Sequence, residues 1–287
     1  MTRTLTLALI AWGLQASAQT QVQQTSFTFS DGLHPSFMVA FDNGDDKDLE
    51  GFYKDRLKMV SKDVSNKKEI KALGARVPEI AADTITILCA VEQPRKSTTV
   101  NVHLAFRVNG AFLASTSEEL LRQNATDYAY RTAVAYKTKV LQDKLGAEQK
   151  TLEQFRNDLA TLKKEKDRTE NTLEKTKDKG KDAAKDKLDA EHELSTTNIA
   201  IETKKTEVAG DPSEQNTKDL QDLLKDRSKL ESKIEKYTED IADAEKKGKD
   251  LEQDIKDNLK QQDEKQKAIA DQETKVKAAQ LLLDSVN

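Results

Sequence analysis

The residues with chemistry to offer are few. The run Phe41-Asp42-Asn43-Gly44-Asp45-Asp46-Lys47-Asp48-Leu49-Glu50-Gly51 is the one acid cluster with the look of a calcium loop. Started at Asp46, an EF-hand loop would use Asp48, Glu50 and Gly51. Its twelfth place, which needs a bidentate Glu, is Leu57. Helical apolar spacing also begins inside the run, so a turn followed by a capped helix is the better reading, and no metal site is assigned. Cys89 is the single cysteine, which excludes an intramolecular disulfide and a cysteine-based zinc site. It lies on the apolar face of its strand, the setting of a buried structural thiol. His103 falls on the opposite face of the neighbouring strand, His34 in a turn and His192 in a charged helix, so no Cys–His pair forms. The chain has no G-x-S-x-G, Walker loop, H-E-x-x-H or dinucleotide fingerprint. Asn124-Ala125-Thr126 matches a glycosylation acceptor but sits inside a predicted helix. No catalytic, cofactor-binding or metal residue is therefore assigned, no cofactor is implied, and a non-enzymatic role is expected.

Composition narrows the setting. The first residues combine Arg3, an apolar run from Leu5 to Leu14 and the small-residue site Ala16-Ser17-Ala18. That is the pattern of a secretory signal peptide over residues 1–18, with Gln19 as the mature start, and it places the protein outside the cytoplasm, in the periplasm or secreted. No integral membrane segment is expected after cleavage. Loss of Arg3 leaves 46 of the 47 basic residues against 51 acidic ones, which excludes a general basic footprint for nucleic acid. Charged residues make up 34% of the chain with both signs mixed, the mark of a solvated helical surface.

Aromatic residues mark the main boundary: after residue 140 only Phe155 and Tyr237 remain. Residues 19–135 read as an α+β head, an antiparallel sheet with helices on one face. Two strands flank Asp31-Gly32. A helix follows with Leu49, Phe52, Tyr53, Leu57 and Val60 on one face, capped by Asp45 or Asp46. Residues 68 to 74 are expected as a short strand. Two clear strands then carry Ile85, Ile87, Cys89 and Val91, and Val100, Val102, Leu104 and Phe106, on their apolar faces. The next helix is expected to pack Leu120, Leu121, Ala125, Tyr128 and Val134 onto the sheet. The resulting order is β-β-α-β-β-β-α.

Residues 136–287 read as a long antiparallel α-helical coiled-coil hairpin. A seven-residue repeat puts Leu145, Leu152, Leu159, Leu173, Leu194 and Ile201 at the a positions of one helix. It puts Leu220, Ile234, Ile241, Ile255, Ile269 and Leu283 at those of the other. The stretch at 209–213 is the turn. Gly210 is expected to end the first helix in a left-handed conformation, Asp211 to cap the second, Pro212 to open it and Glu214 to complete a capping box. Partners across the seam then have numbers that total 424, as in Ile201 with Leu223 and Leu194 with Leu230. Gly180 and Gly248, both a positions at nearly one height, mark a candidate hinge. At the level of fold alone, such a hairpin resembles those of periplasmic efflux adaptors and tentacled chaperones; the latter are strongly basic and this chain is not.

Leu152, Phe155, Leu159 and Leu162 form an apolar stripe facing Gln262, Lys265 and Gln272. This stripe is the candidate partner-binding surface, and a homodimer is expected through it. The functional expectation is a structural or interaction protein: the head binds or anchors, and the coiled coil serves as spacer or oligomerisation arm. An extracytoplasmic holdase chaperone with coiled-coil arms is the alternative, and an enzyme with an unrecognised site in the head the third reading.

Overall fold

The computed structural model describes residues 20–286, so the signal-peptide expectation lies outside the described residues. The chain divides into two compact units. One holds the described residues up to Gly146 together with those from Ala278 onward, and the other is Ala147–Lys277.

The first unit is built on an antiparallel sheet of seven strands in the order β1-β2-β6-β5-β4-β3, with β7 paired to β6. Its elements are β1 (Val22–Phe29), β2 (Gly32–Asp42), α1 (Asp46–Val60), β3 (Asp63–Asn66), β4 (Ile70–Ala75), β5 (Ile85–Glu92), β6 (Thr99–Val108), β7 (Ala111–Phe112) and the start of α2 (Glu119–Gly210). The α+β arrangement, with helices on one sheet face, follows from side-chain alternation. Ile87, Cys89, Val102, Leu104 and Phe106 point to one face, where α1 contributes Leu49, Tyr53 and Leu57 to the same core. Asp45 caps α1, its carboxylate accepting from the Asp48 amide at 2.9 Å. Gly44 is needed just before, because a Cβ there would lie 3.1 Å from Leu49 Cδ1 and 3.3 Å from the Phe41 carbonyl.

Three sequence expectations change. Of the expected α2 stripe, Ala125 is in this core with Leu121 and Tyr128 packed against it, but Ala129, Ala133 and Tyr136 complete it, whereas Leu120 is exposed and Val134 only half-buried. Small residues let the helix approach the sheet closely, and the choice of alanine over leucine rotates the apolar stripe. Two short strands, β3 and β7, join the expected ones. Asn109 and Gly110, at φ of 50° and 83°, form the tight two-residue link from β6 to β7. The third change is at the tip of the helical hairpin. Gly210 remains helical, and the Asp211 amide still donates to Glu207 at 2.8 Å. Pro212 ends α2, since it has no amide to continue the ladder and it disfavours a helical Asp211. The cap of α3 (Glu214–Asp284) is Ser213, whose hydroxyl accepts from the Asn216 amide at 3.3 Å, while the Asn216 side chain donates to the Asp211 carbonyl at 3.0 Å.

α2 and α3 pack as an antiparallel hairpin. Within Ala147–Lys277, the a positions Leu152, Leu159, Leu173, Leu194 and Ile201 of α2, and Leu220, Ile234, Ile241, Ile255 and Ile269 of α3, are all buried or half-buried, while most positions between them are exposed. The seam repeats every seven residues as a coiled coil requires. A Cβ built on Gly180 would meet the Ala244 Cβ at 3.2 Å, a pair whose numbers total 424 as the expected register demands. α2 runs without a break through Gly180, and α3 through Gly248. At this height the small residues Gly180, Ala183 and Ala244 let the helices approach closely.

Candidate functional site

Two places deserve description as sites, one in each unit. The first is the sheet face that carries no helix. It should be wet, yet Leu88, Ala90 and Ala105 are buried there with Phe29. The cover is the chain's own β1–β2 hairpin. Pairing between β2 and β6 stops at Phe37 with Leu104, while β1 and β2 stay paired to the closing Phe29–Gly32 pair. The freed end of the hairpin folds across the sheet. Ser30 at its turn donates its amide to Glu69, just before β4, at 3.2 Å, and its hydroxyl to the same carboxylate. Aromatic contacts fasten it: the Phe27 ring stacks on His103 at 4.2 Å, and the His34 ring on Phe112 at 3.9 Å.

His103 is the centre of this arrangement. Ser36 Oγ lies 3.4 Å from its Nδ1, and its Nε2 lies 3.9 Å from a Glu92 carboxylate oxygen. A serine, a histidine and a carboxylate in line suggest a nucleophile. The surroundings argue against that use. Ser36 is 2% exposed, and burial pushes the His103 imidazole down to about 4, too weakly basic to take a hydroxyl proton at neutral pH. The trio reads as a packing contact under the hairpin. Beside it, Gln24, Ser26, Pro35, Phe37 and Ser115 line an open cavity of about 240 Å³ with no charged side chain. The sequence placed His103 on this face correctly but gave no sign that it would be covered. The one available signal was Phe27 and Phe29, two large apolar side chains on the same face of an edge strand.

Cys89 is fully buried in the helix-side core, and burial pushes its thiol pKa well up. His34, expected in a turn, lies instead in β2 opposite Phe27, and its Nε2 is 2.9 Å from Asp31 in the turn. Acids of the suspected calcium loop have other partners: Asp45 caps the helix, Asp46 accepts from the Lys47 amide at 2.8 Å, Glu50 accepts from Asn66 in β3, and Asp42 accepts from Thr99 in β6 at 2.9 Å. Among the described residues, no group of three or more His, Cys, Asp or Glu side chains could hold a metal ion. Asn124-Ala125-Thr126 lies within α2, with Ala125 fully buried.

The second place is the stripe on α2. Leu152 is buried, and Phe155, Leu159 and Leu162 are half-buried. Polar residues of α3 cover part of it. Lys265 sets its ammonium 4.8 Å over the Phe155 ring and 3.0 Å from Asp158, which suits both the cation and the ring face. Gln272, buried, donates to the Glu148 carbonyl at 3.0 Å and to its carboxylate. Between Leu162 and Ala268 the helices leave an open groove of about 520 Å³, lined also by Asp158, Glu165, Glu264 and Lys265. The surrounding surface is laced by cross-helix pairs, Arg156 with Glu273 at 2.7 Å and Lys177 with Glu252 at 2.8 Å. Among the described residues no helix is long and apolar enough to cross a membrane.

No protein-family model matches this chain, and no curated protein matches it.

Proposed function

We propose that this is an extracytoplasmic, non-enzymatic interaction protein whose helical hairpin serves as spacer and oligomerisation arm, with the α+β unit binding or anchoring. The observation that carries the reading is the make-up of the hairpin seam. It is continuous and antiparallel, yet Gln262, Gln272 and Thr176 are buried in it, and large apolar residues outside it are sparse. Polar seam residues fix register and pairing at some cost in stability, as a rigid arm of defined geometry needs. A holdase would need broad accessible apolar surface. On α2 from Lys163 to Gly210, the exposed large apolar side chains are Leu188 and Ile199 alone among the described residues.

The partner in the first instance is a second copy. Phe155, Leu159 and Leu162 are incompletely covered within one chain, and fully burying a leucine is worth roughly 1.5–3 kcal/mol. Two stripes packed about a two-fold axis would supply the missing cover. Multi-angle light scattering at micromolar concentration tests this: twice the chain mass is expected, reduced to one by Leu159→Glu. A single-chain mass for the wild type rejects the dimer. Intact-mass analysis of exported protein, expected to begin at Gln19, tests the location.

A further inference from the structure

The hairpin tip that covers the second sheet face is held there without a backbone ladder. Beyond Phe37 no hydrogen-bonded ladder joins β2 to β6, so residues 26–36 are paired to each other and not to the sheet beneath. Their attachments are Phe29 packed with Leu88, Ala90 and Ala105, Phe27 and Ser36 on His103, His34 on Phe112, and the Ser30 amide on Glu69. We infer that this tip is an acid-released latch in which protonation of His103 frees residues 26–36 from the sheet and uncovers the apolar face of Leu88, Ala90 and Ala105.

The packing around His103 carries the argument. The imidazole is 5% exposed. Phe27 of β1 lies flat on it, Ser36 and Met38 of β2 flank it, and Ala90 and Glu92 of β5 lie alongside. The charged group among these is the Glu92 carboxylate at 3.9 Å, itself half-exposed and therefore screened. A proton on the ring must be accommodated beneath an apolar cover, and lifting the tip admits water to it, opposed by the packing of Phe27 and Phe29 that is lost. On the tip itself Asp31 and His34 pair with each other, and Glu69 beneath it accepts from Ser30. Arg107, 5.8 Å from the Phe112 ring centre, stays with the sheet.

The sign follows from linkage. With the tip down, His103 titrates at about 4, and a hydrated histidine titrates at 6.5. The open form therefore takes up the proton first. The closed form keeps its full advantage above pH 6.5 and loses it as pH falls toward about 4. The open-to-closed ratio is expected to rise about 30-fold at pH 5 and about 150-fold at pH 4.

Hydrogen exchange of the full chain at pH 7.4 and pH 5, corrected for intrinsic rates, tests the latch. The Ser30 amide, which the tip donates to Glu69, should lose about 30-fold in protection, while amides of α1 and those bonded within the hairpin do not change. His103→Phe keeps a ring against Phe27 but cannot take the proton, and its tip should stay protected at pH 5. Equal protection of the wild-type tip at both pH values overturns the inference. So does the same loss in His103→Phe, or a loss shared with α1, which would mean general unfolding. If His103→Phe does not fold, the ring-proton NMR titration of wild-type His103 decides: a midpoint below 5 is expected, and an ordinary one near 6.5 overturns it.

Discussion

Gly180 on α2 faces Ala244 on α3 so closely that a Cβ added to the glycine would lie 3.2 Å from the alanine's Cβ. A disulfide spans Cβ atoms about 3.5–4.5 Å apart, so small adjustments suffice to bridge these positions. Gly180→Cys with Ala244→Cys, in a Cys89→Ser background, is expected to crosslink within one chain. A seam shifted by one heptad would place Leu251 there instead. Gly180→Cys with Leu251→Cys serves as the control, and preferential crosslinking of that pair on non-reducing gels would reject the register.

The two seam glycines should respond oppositely to substitution. At Gly248 an added Cβ meets only Leu173 Cδ1, at an ordinary 3.8 Å. Gly248→Ala therefore gains helix propensity and is expected to stabilise by about 1 kcal/mol. Gly180→Leu has no room and is expected to cost about 1–3 kcal/mol. Urea unfolding followed by far-ultraviolet circular dichroism measures both.

At the hairpin tip, Ser213→Ala removes the hydroxyl that accepts from the Asn216 amide and is expected to cost about 1 kcal/mol. Asp211→Ala should cost less, because Asn216 bonds chiefly to the Asp211 backbone carbonyl. Exchange of the Asn216 amide reads the difference directly. Greater loss in Asp211→Ala would return the cap to Asp211.

The helix–sheet core should be sensitive to alkali. Burial raises the pKa of the Tyr53, Tyr128 and Tyr136 hydroxyls, and Tyr136 reaches about 12 with help from Asp48 and Asp45. In the unfolded chain a phenol ionises near about 10, so the unfolded state sheds its protons first. Stability is thus complete below pH 10 and falls between about 10 and 12. The Tyr53 hydroxyl is buried without a hydrogen-bond partner. Tyr53→Phe is therefore expected to gain about 1 kcal/mol at pH 7 and to blunt the alkaline loss. Urea titrations at pH 7 and 11 test this, and a destabilised Tyr53→Phe would point to a hidden partner for the hydroxyl.

Sequence alone determined what depends on repetition along the chain. The seven-residue repeat named the buried positions of both long helices, because each turn of a coiled coil meets its partner in the same way. Alternation in β5 and β6 named the core face of the sheet for the same reason, and the apolar spacing of α1 named Leu49, Tyr53 and Leu57. Tertiary structure decided what depends on residues distant in sequence. Nothing around His103 announces that Phe27, on a strand two places away, will lie on it. That contact exists because β2 leaves β6 at Phe37 and carries β1 across the sheet. The choice of Ala129 and Ala133 over Leu120 for the core was likewise set by how closely a helix can approach the sheet. The cap at Ser213 rather than Asp211 turned on which of two neighbouring polar side chains met the first free amide of α3. The covered second face, where the chemistry gathers, was invisible for the same reason: it is a product of one hairpin's bend, and local patterns carry no record of a bend.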